Sequence, residues 1–139
     1  ESFITRCEFI GGRFYYALRV DTSAGFELCP ADVCAAPAAV CDLDASQTSA
    51  EAPKFVVREQ FESPLIELYE KVLARNHIEV AGIEFIVDEA GQAYTYDINT
   101  NTNYNRPAES VTDKHGMRQL ATWLTAELRK TGVARAVGH

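Results

Sequence analysis

Two short stretches of this chain carry residues whose types and spacing could do chemistry. One runs Thr5-Arg6-Cys7-Glu8 to a Gly11-Gly12 pair and on to Leu18-Arg19; the other is Gly82-Ile83-Glu84 followed, after a turn, by Asp97-Ile98-Asn99. If the second stretch is a β-hairpin turning at Ala90-Gly91, Glu89 pairs with Gln92, Val87 with Tyr94, Phe85 with Tyr96 and Glu84 with Asp97. Side chains alternate along a strand, so Ile83, Phe85, Val87, Tyr94, Tyr96 and Ile98 share one face and Glu84, Asp97 and Asn99 the other. Two ionised carboxylates directly across a ladder repel. A divalent cation reverses the sign of that term, and two carboxylates with an amide oxygen suit Mg²⁺, which keeps waters and takes further ligands from phosphates. Read alone, the same three residues also describe a solvated acidic strand face with a satisfied Asn.

The first stretch bears on that choice. With Gly11-Gly12 as a two-residue loop, Ile10 pairs with Arg13, Glu8 with Tyr15, Arg6 with Ala17 and Ile4 with Arg19. Cys7, Phe9, Phe14, Tyr16 and Leu18 then form a core face. Arg6, Glu8, Arg13 and Arg19 form a polar one, with Arg6 and Arg19 as diagonal neighbours. Two such guanidiniums can clamp phosphate; alone, they also read as a solvated face. A basic hairpin and an acidic one in a single small domain favour a metal–nucleotide site. The chain has no Gly-x-x-x-x-Gly-Lys-Ser/Thr loop and no Gly-x-Gly-x-x-Gly, so a nucleotide would not be held by a P-loop or a Rossmann turn.

The elements that position these residues follow from pattern. The two hairpins cover about 4–20 and 79–99. Between them, Ser63 is an N-cap, Pro64 takes the first helical position, and Leu65, Leu68, Tyr69, Val72 and Leu73 recur at helical spacing up to a stop at Asn76. A last helix spans about 113–129, with Met117, Leu120, Ala121, Leu124 and Leu128 on one face. Residues 35–53 are rich in Ala, Ser, Pro and acid without period and read as a surface loop. The fold class expected is α+β: one domain over 1–139, an antiparallel sheet of two hairpins with the helices packed on one face.

Composition sets bounds. A chain of 139 residues supports one core, and 47% hydrophobic with 24% charged residues is ordinary for a globular protein. The net charge of −7 argues against a general nucleic-acid or anionic-membrane surface. Cys7 falls on the apolar side of a strand; Cys29, Cys34 and Cys41 form no Cys-x-x-Cys pair, and reduced thiols in a cytoplasm are the expectation. His77 and His115 lie near helix ends, outside any Ser–His–Asp or Cys–His arrangement.

Taken together, these motifs resemble the ATP-grasp superfamily, in particular its RimK-like and glutathione-synthetase-like carboxylate–amine ligases. The resemblance covers roughly 5–106 and rests on the Arg-bearing hairpin, the Gly-x-Glu strand at Glu84 and the closing Asp97-x-Asn99. It implies that Glu84, Asp97 and Asn99 hold Mg²⁺ (or Mn²⁺) between ATP phosphates, and that Arg6 and Arg19 contact phosphate or an acyl-phosphate intermediate. Relatives usually close with Glu rather than Asp, so Asp97 is a shorter ligand. Where relatives often carry Pro-Gly, this chain has an Asn-rich loop, making Asn101, Asn103 and Arg106 candidates for a polar substrate; a loop that caps its own backbone is the plainer reading. The implied partners are a carboxylate, an amine and an N-terminal lobe that this chain would follow, which would leave the fragment alone inactive. A homo-oligomer is left open. The competing readings are a binding or regulatory module that kept the fold without the chemistry, and a sheet presenting Tyr15, Tyr16 and Tyr94 to nucleic acid, which the charge disfavours.

Overall fold

The computed structural model describes residues 2–23 and 53–132. Most of the loop expected at 35–53 lies outside these, as do Cys29, Cys34 and Cys41. The chain runs β1 (Phe3–Ile10), β2 (Arg13–Asp21), β3 (Phe55–Arg58), α1 (Pro64–Arg75), β4 (Val80–Val87), β5 (Ala93–Asn99), α2 (Arg106–Glu109) and α3 (Gly116–Lys130). The five strands form one antiparallel sheet in the order β3-β2-β1-β4-β5. This is the α+β class expected from the sequence, but the helices do not share one face as expected: α1 packs on one side of the sheet, α2 and the start of α3 on the other. The two hairpins are its two halves, joined where β1 pairs with β4. Strand β3, which has no clear pattern in sequence, extends the sheet beyond β2.

Local chemistry explains the elements. Gly11 and Gly12 take φ of 65° and 69°, the left-handed region that a tight hairpin turn requires and that only glycine enters freely. The Ser63 hydroxyl accepts from the Leu65 N–H at 3.2 Å, Pro64 opens α1, and Asn76 caps its end. The Asp88 carboxylate accepts from the Ala90 and Gln92 N–H groups at 2.9 and 2.8 Å and shapes the β4–β5 turn.

Each hairpin contains a bulge, and the bulges correct the expected faces. In β1–β2, Phe9 pairs with Phe14 but Glu8 pairs with Tyr16, so Tyr15 is an extra residue. Beyond it, every β2 side chain sits on the face opposite to the one a regular ladder predicts. Cys7, Phe9 and Ala17 pack with Tyr69 and Leu73 of α1 and with Ile83 and Phe85 of β4. Tyr16 and Leu18, expected beside Cys7, pack instead with Ile4, Val20 and Ala108 on the other face. In β4–β5, Val87 pairs with Ala93, Ile86 with Tyr94 and Phe85 with Thr95, and Tyr96 is the extra residue before Glu84 meets Asp97. The α1 face of β5 therefore carries Ala93 and Thr95, not Tyr94 and Tyr96.

The main core lies between α1 and the sheet. Leu73, Phe9 and Cys7 are fully buried there, and burying a Leu or Phe stabilises by about 1.5–3 kcal/mol each. Phe9, Tyr69 and Phe85 meet edge to face or tilted, with centroids 6.2 and 6.4 Å apart. Burial pushes the Cys7 thiol up to about 12, so it is an inert core group. The second face is met by α2 and by the start of α3: the Tyr16 hydroxyl donates to Glu109 at 2.7 Å, and the Gly116 N–H donates to the same oxygen at 2.9 Å. Among the described residues, no helix is long and apolar enough to cross a membrane.

Candidate functional site

The second face carries the candidate site. Two rows cross the sheet there. Leu18, Arg6, Glu84 and Asp97 are successive partners in one; Tyr16, Glu8, Gly82 and Asn99 are partners in the next. Arg6, Glu8, Glu84, Asp97 and Asn99 thus lie on one side by register alone. Glu84 stands across from Asp97, the pairing read from the sequence, although the bulge brings it about.

Arg6 is the hub. Its Nε donates to Glu8 Oε1 at 2.7 Å and one terminal nitrogen donates to Glu84 Oε1 at 3.3 Å. Its other terminal nitrogen donates to the Thr102 hydroxyl, which itself donates to Glu8 Oε2 at 2.8 Å. Opposite Glu8 in β4 stands Gly82, where a Cβ would lie 2.7 Å from Arg6 Nε and 3.0 Å from Thr102 Oγ1. A side chain there would push the guanidinium out of its present position. The bulge turns Tyr96 onto this face, and its hydroxyl donates to Glu84 Oε2 at 2.9 Å.

The electrostatics are those of a buried, negatively weighted cluster. Glu8 is 1% exposed and Glu84 5%. Charges this buried are costly unless paired. One guanidinium is paired with two carboxylates, Glu8 and Glu84, with Asp97 next in the row, so negative charge is left over when all are ionised. Burial pushes Glu8 above the ordinary carboxylate range, although Arg6 and Thr102 pull the other way. Burial, then the bond to Glu84, holds the Tyr96 hydroxyl firmly protonated. Burial, with Glu8 and Glu109 nearby, pushes Tyr104 up to about 12, and its buried hydroxyl has no hydrogen-bond partner among the described residues.

These residues fit a hard cation in kind. The oxygens of Glu84 are engaged by Arg6 and Tyr96, and the Asn99 Oδ1 accepts from the Asn101 N–H at 2.8 Å. Carboxylate and amide oxygens each keep a further lone pair. Asp97 is half-buried, and its carboxylate makes no hydrogen bond among the described residues. Among the described residues, no group of three or more His, Cys, Asp or Glu side chains converges. A cation here would therefore rest on two carboxylates, the Asn99 amide and ligands from outside the protein.

The other expected site residues are placed as follows. Arg19 pairs with Thr5 and lies on the α1 face, so it does not converge with Arg6; the Tyr15 bulge separates them. Asn101 and Asn103 are exposed on the loop after β5, and Arg106 is exposed at the start of α2. The same loop sends Thr102 into the cluster. Sequence reasoning put Glu8 on the polar face without giving it a role, and it left out Thr102 and Tyr96. Arg6-x-Glu8 was a usable signal, because residues two apart share a face. Nothing in the sequence marked Thr102, which arrives 94 positions later.

No protein-family model and no curated protein matches the chain. Solved structures do. The ATP-grasp ligase PsnB, complexed with a phosphomimetic variant of a minimal precursor, Mg and ADP, matches with a TM-score of 0.57 and 12% identity over 91% of this chain. PsnB with minimal precursor matches with a TM-score of 0.53 and 14% identity, again over 91%. The chain spans 33% and 34% of those two chains. At such identity the likeness establishes architecture: this chain has the fold of a part of an ATP-grasp ligase.

Proposed function

We propose that this chain is the C-terminal lobe of an ATP-dependent carboxylate–amine ligase of RimK-like or glutathione-synthetase-like type, active when completed by an N-terminal lobe. The observation that carries the reading is the row Arg6–Glu84–Asp97, with Asn99 beside it, on a sheet of ATP-grasp architecture. Glu84, Asp97 and Asn99 would hold Mg²⁺ or Mn²⁺. The ion would neutralise the phosphates of ATP, as metal ions do in phosphoryl transfer. Arg6, fixed by Glu8 and Thr102, presents a guanidinium beside that position and orients Glu84. In such a ligase a carboxylate takes the γ-phosphoryl group and an amine then displaces phosphate, so no side-chain nucleophile is required; the protein positions and neutralises charge. Asn101, Asn103 and Arg106 border the same face and are the residues we assign to a polar substrate.

A second reading, a non-catalytic module, draws on the bonds that Glu84 and Asn99 already make to internal partners. Asn99→Ala in the complete ligase separates the two. Under the ligase reading it abolishes ATP-dependent phosphate release; under the module reading it leaves partner binding unchanged. Release that persists at the wild-type rate would rule out Asn99 as a metal ligand. The isolated chain, titrated with Mg-ATP in a calorimeter, is expected to give little or no heat.

A further inference from the structure

Arg19 has no part in the site just described, and its surroundings point to a different use. Ala17 belongs to the core facing α1 and pairs with Arg58 of β3, so Arg58 shares that face; Arg19, two positions along β2, does too. The two guanidiniums are diagonal neighbours on one ladder, roughly 7–8 Å apart at their backbones. Like charges this near repel, and an anion lying between them reverses the sign of that term. Among the described residues, neither makes an ion pair. Asp21 is near Arg19, but its carboxylate is bound to the Ser23 N–H at 2.7 Å.

The arginines overlook a cleft of about 600 Å³ between the sheet and the start of α1. That volume is in the range of small-molecule sites. Its walls include the rings of Phe3, Phe61 and Phe85 together with Leu65 and Val87, and among the described residues Glu62 is the one acidic side chain on its lining. The Arg19 guanidinium lies over the Phe3 ring, 3.8 Å from the centroid, which orients it before any ligand arrives. Apolar walls beside two arginines that form no ion pair among the described residues are complementary to an anion with an apolar body.

We propose that this cleft binds a small organic carboxylate with an aromatic body. The carboxylate would take bonds from Arg19 and Arg58, whose planar forks match it, and the ring would enter among Phe3, Phe61 and Phe85. The site is on the opposite side of the sheet from the Arg6 cluster, so it stands or falls independently of the ligase reading.

The test is an amide chemical-shift titration of the 139-residue chain with 3-phenylpropionate, with 3-phenylpropanol as its neutral counterpart. Saturable shifts at Phe3, Thr5, Phe61 and Phe85 are expected from the acid. The alcohol should bind roughly tenfold more weakly or worse, as loss of charge-assisted bonds implies. Arg19→Gln and Arg58→Gln should each weaken the acid to a similar degree. Shifts that do not saturate, equal affinity for acid and alcohol, or binding untouched by both substitutions would overturn the proposal. Should the variants fail to fold, the preference of the wild-type chain for acid over alcohol decides the matter by itself.

Discussion

At Glu8 a carboxylate is 1% exposed and leans on one guanidinium and one hydroxyl. Burial outweighs both partners and holds its pKa above the ordinary 4.5. The sign of the consequence can be worked out. The folded chain holds this proton more tightly than the unfolded chain does. The stability due to that proton is fully present below about 4.5 and is lost as pH rises through the higher folded value. Glu8→Gln keeps the shape and cannot titrate. Measured by thermal or denaturant unfolding at a series of pH values, the stability of wild type relative to Glu8→Gln should fall as pH rises through that window. A difference that is flat with pH, or that runs the other way, would show that burial does not dominate at Glu8.

Among the elements, the bulges decide which side chains meet. An extra residue on one strand resets the alternation beyond it. At Tyr15 this separates Arg6 from Arg19 and gives the sheet two apolar patches, one per face. At Tyr96 it delivers a hydroxyl to Glu84 and brings Asp97 opposite Glu84. Deleting Tyr96 would leave Phe85 opposite Thr95 and Glu84 opposite Asp97 in a regular ladder. Deleting Ile98 would carry Asn99 across to the α1 face. Tyr96 deletion is therefore expected to fold with a loss of roughly 1–3 kcal/mol, the range of an ordinary single change. Ile98 deletion should cost more and disturb the amide spectrum of β4. Equal losses in denaturant unfolding would mean the bulge does not set the register.

On the scale of the whole molecule, stability is concentrated between α1 and the sheet. Leu73 is fully buried there, whereas Met117, Leu124 and Leu128 of α3 are 55%, 46% and 52% exposed. The apolar stripe predicted along the last helix exists, but little of it is covered among the described residues. The helix is tied instead by its start, through Gly116 and Glu109, and by Trp123 against Gly11. Leu73→Ala should cost about 2–5 kcal/mol, the range for a buried leucine. Leu124→Ala should stay within about 1 kcal/mol, as exposed positions do. Chemical denaturation of the two variants checks both, and comparable losses would place α3 in the core.

Much of this was legible in the sequence because it depends on near neighbours. Gly11-Gly12 can form a tight turn, Ser63-Pro64 can open a helix, and alternation over 79–99 can form a ribbon whichever way the rest of the chain folds. The facing of Glu84 and Asp97 was legible too, since a short hairpin leaves few registers. What only the tertiary structure decided depends on one extra residue or on distant ones. A bulge costs little and leaves no pattern in composition, yet it turned Tyr16, Leu18 and Arg19 over. Thr102 reaches Glu8, and Glu109 reaches Tyr16, only because the whole sheet brings strands and loop together. The sequence by itself therefore determined which local elements form and which residue types they carry. The pairing of β1 with β4 and the two bulges determined which of those residues share a face, because in a sheet a shift of one position exchanges inside and outside.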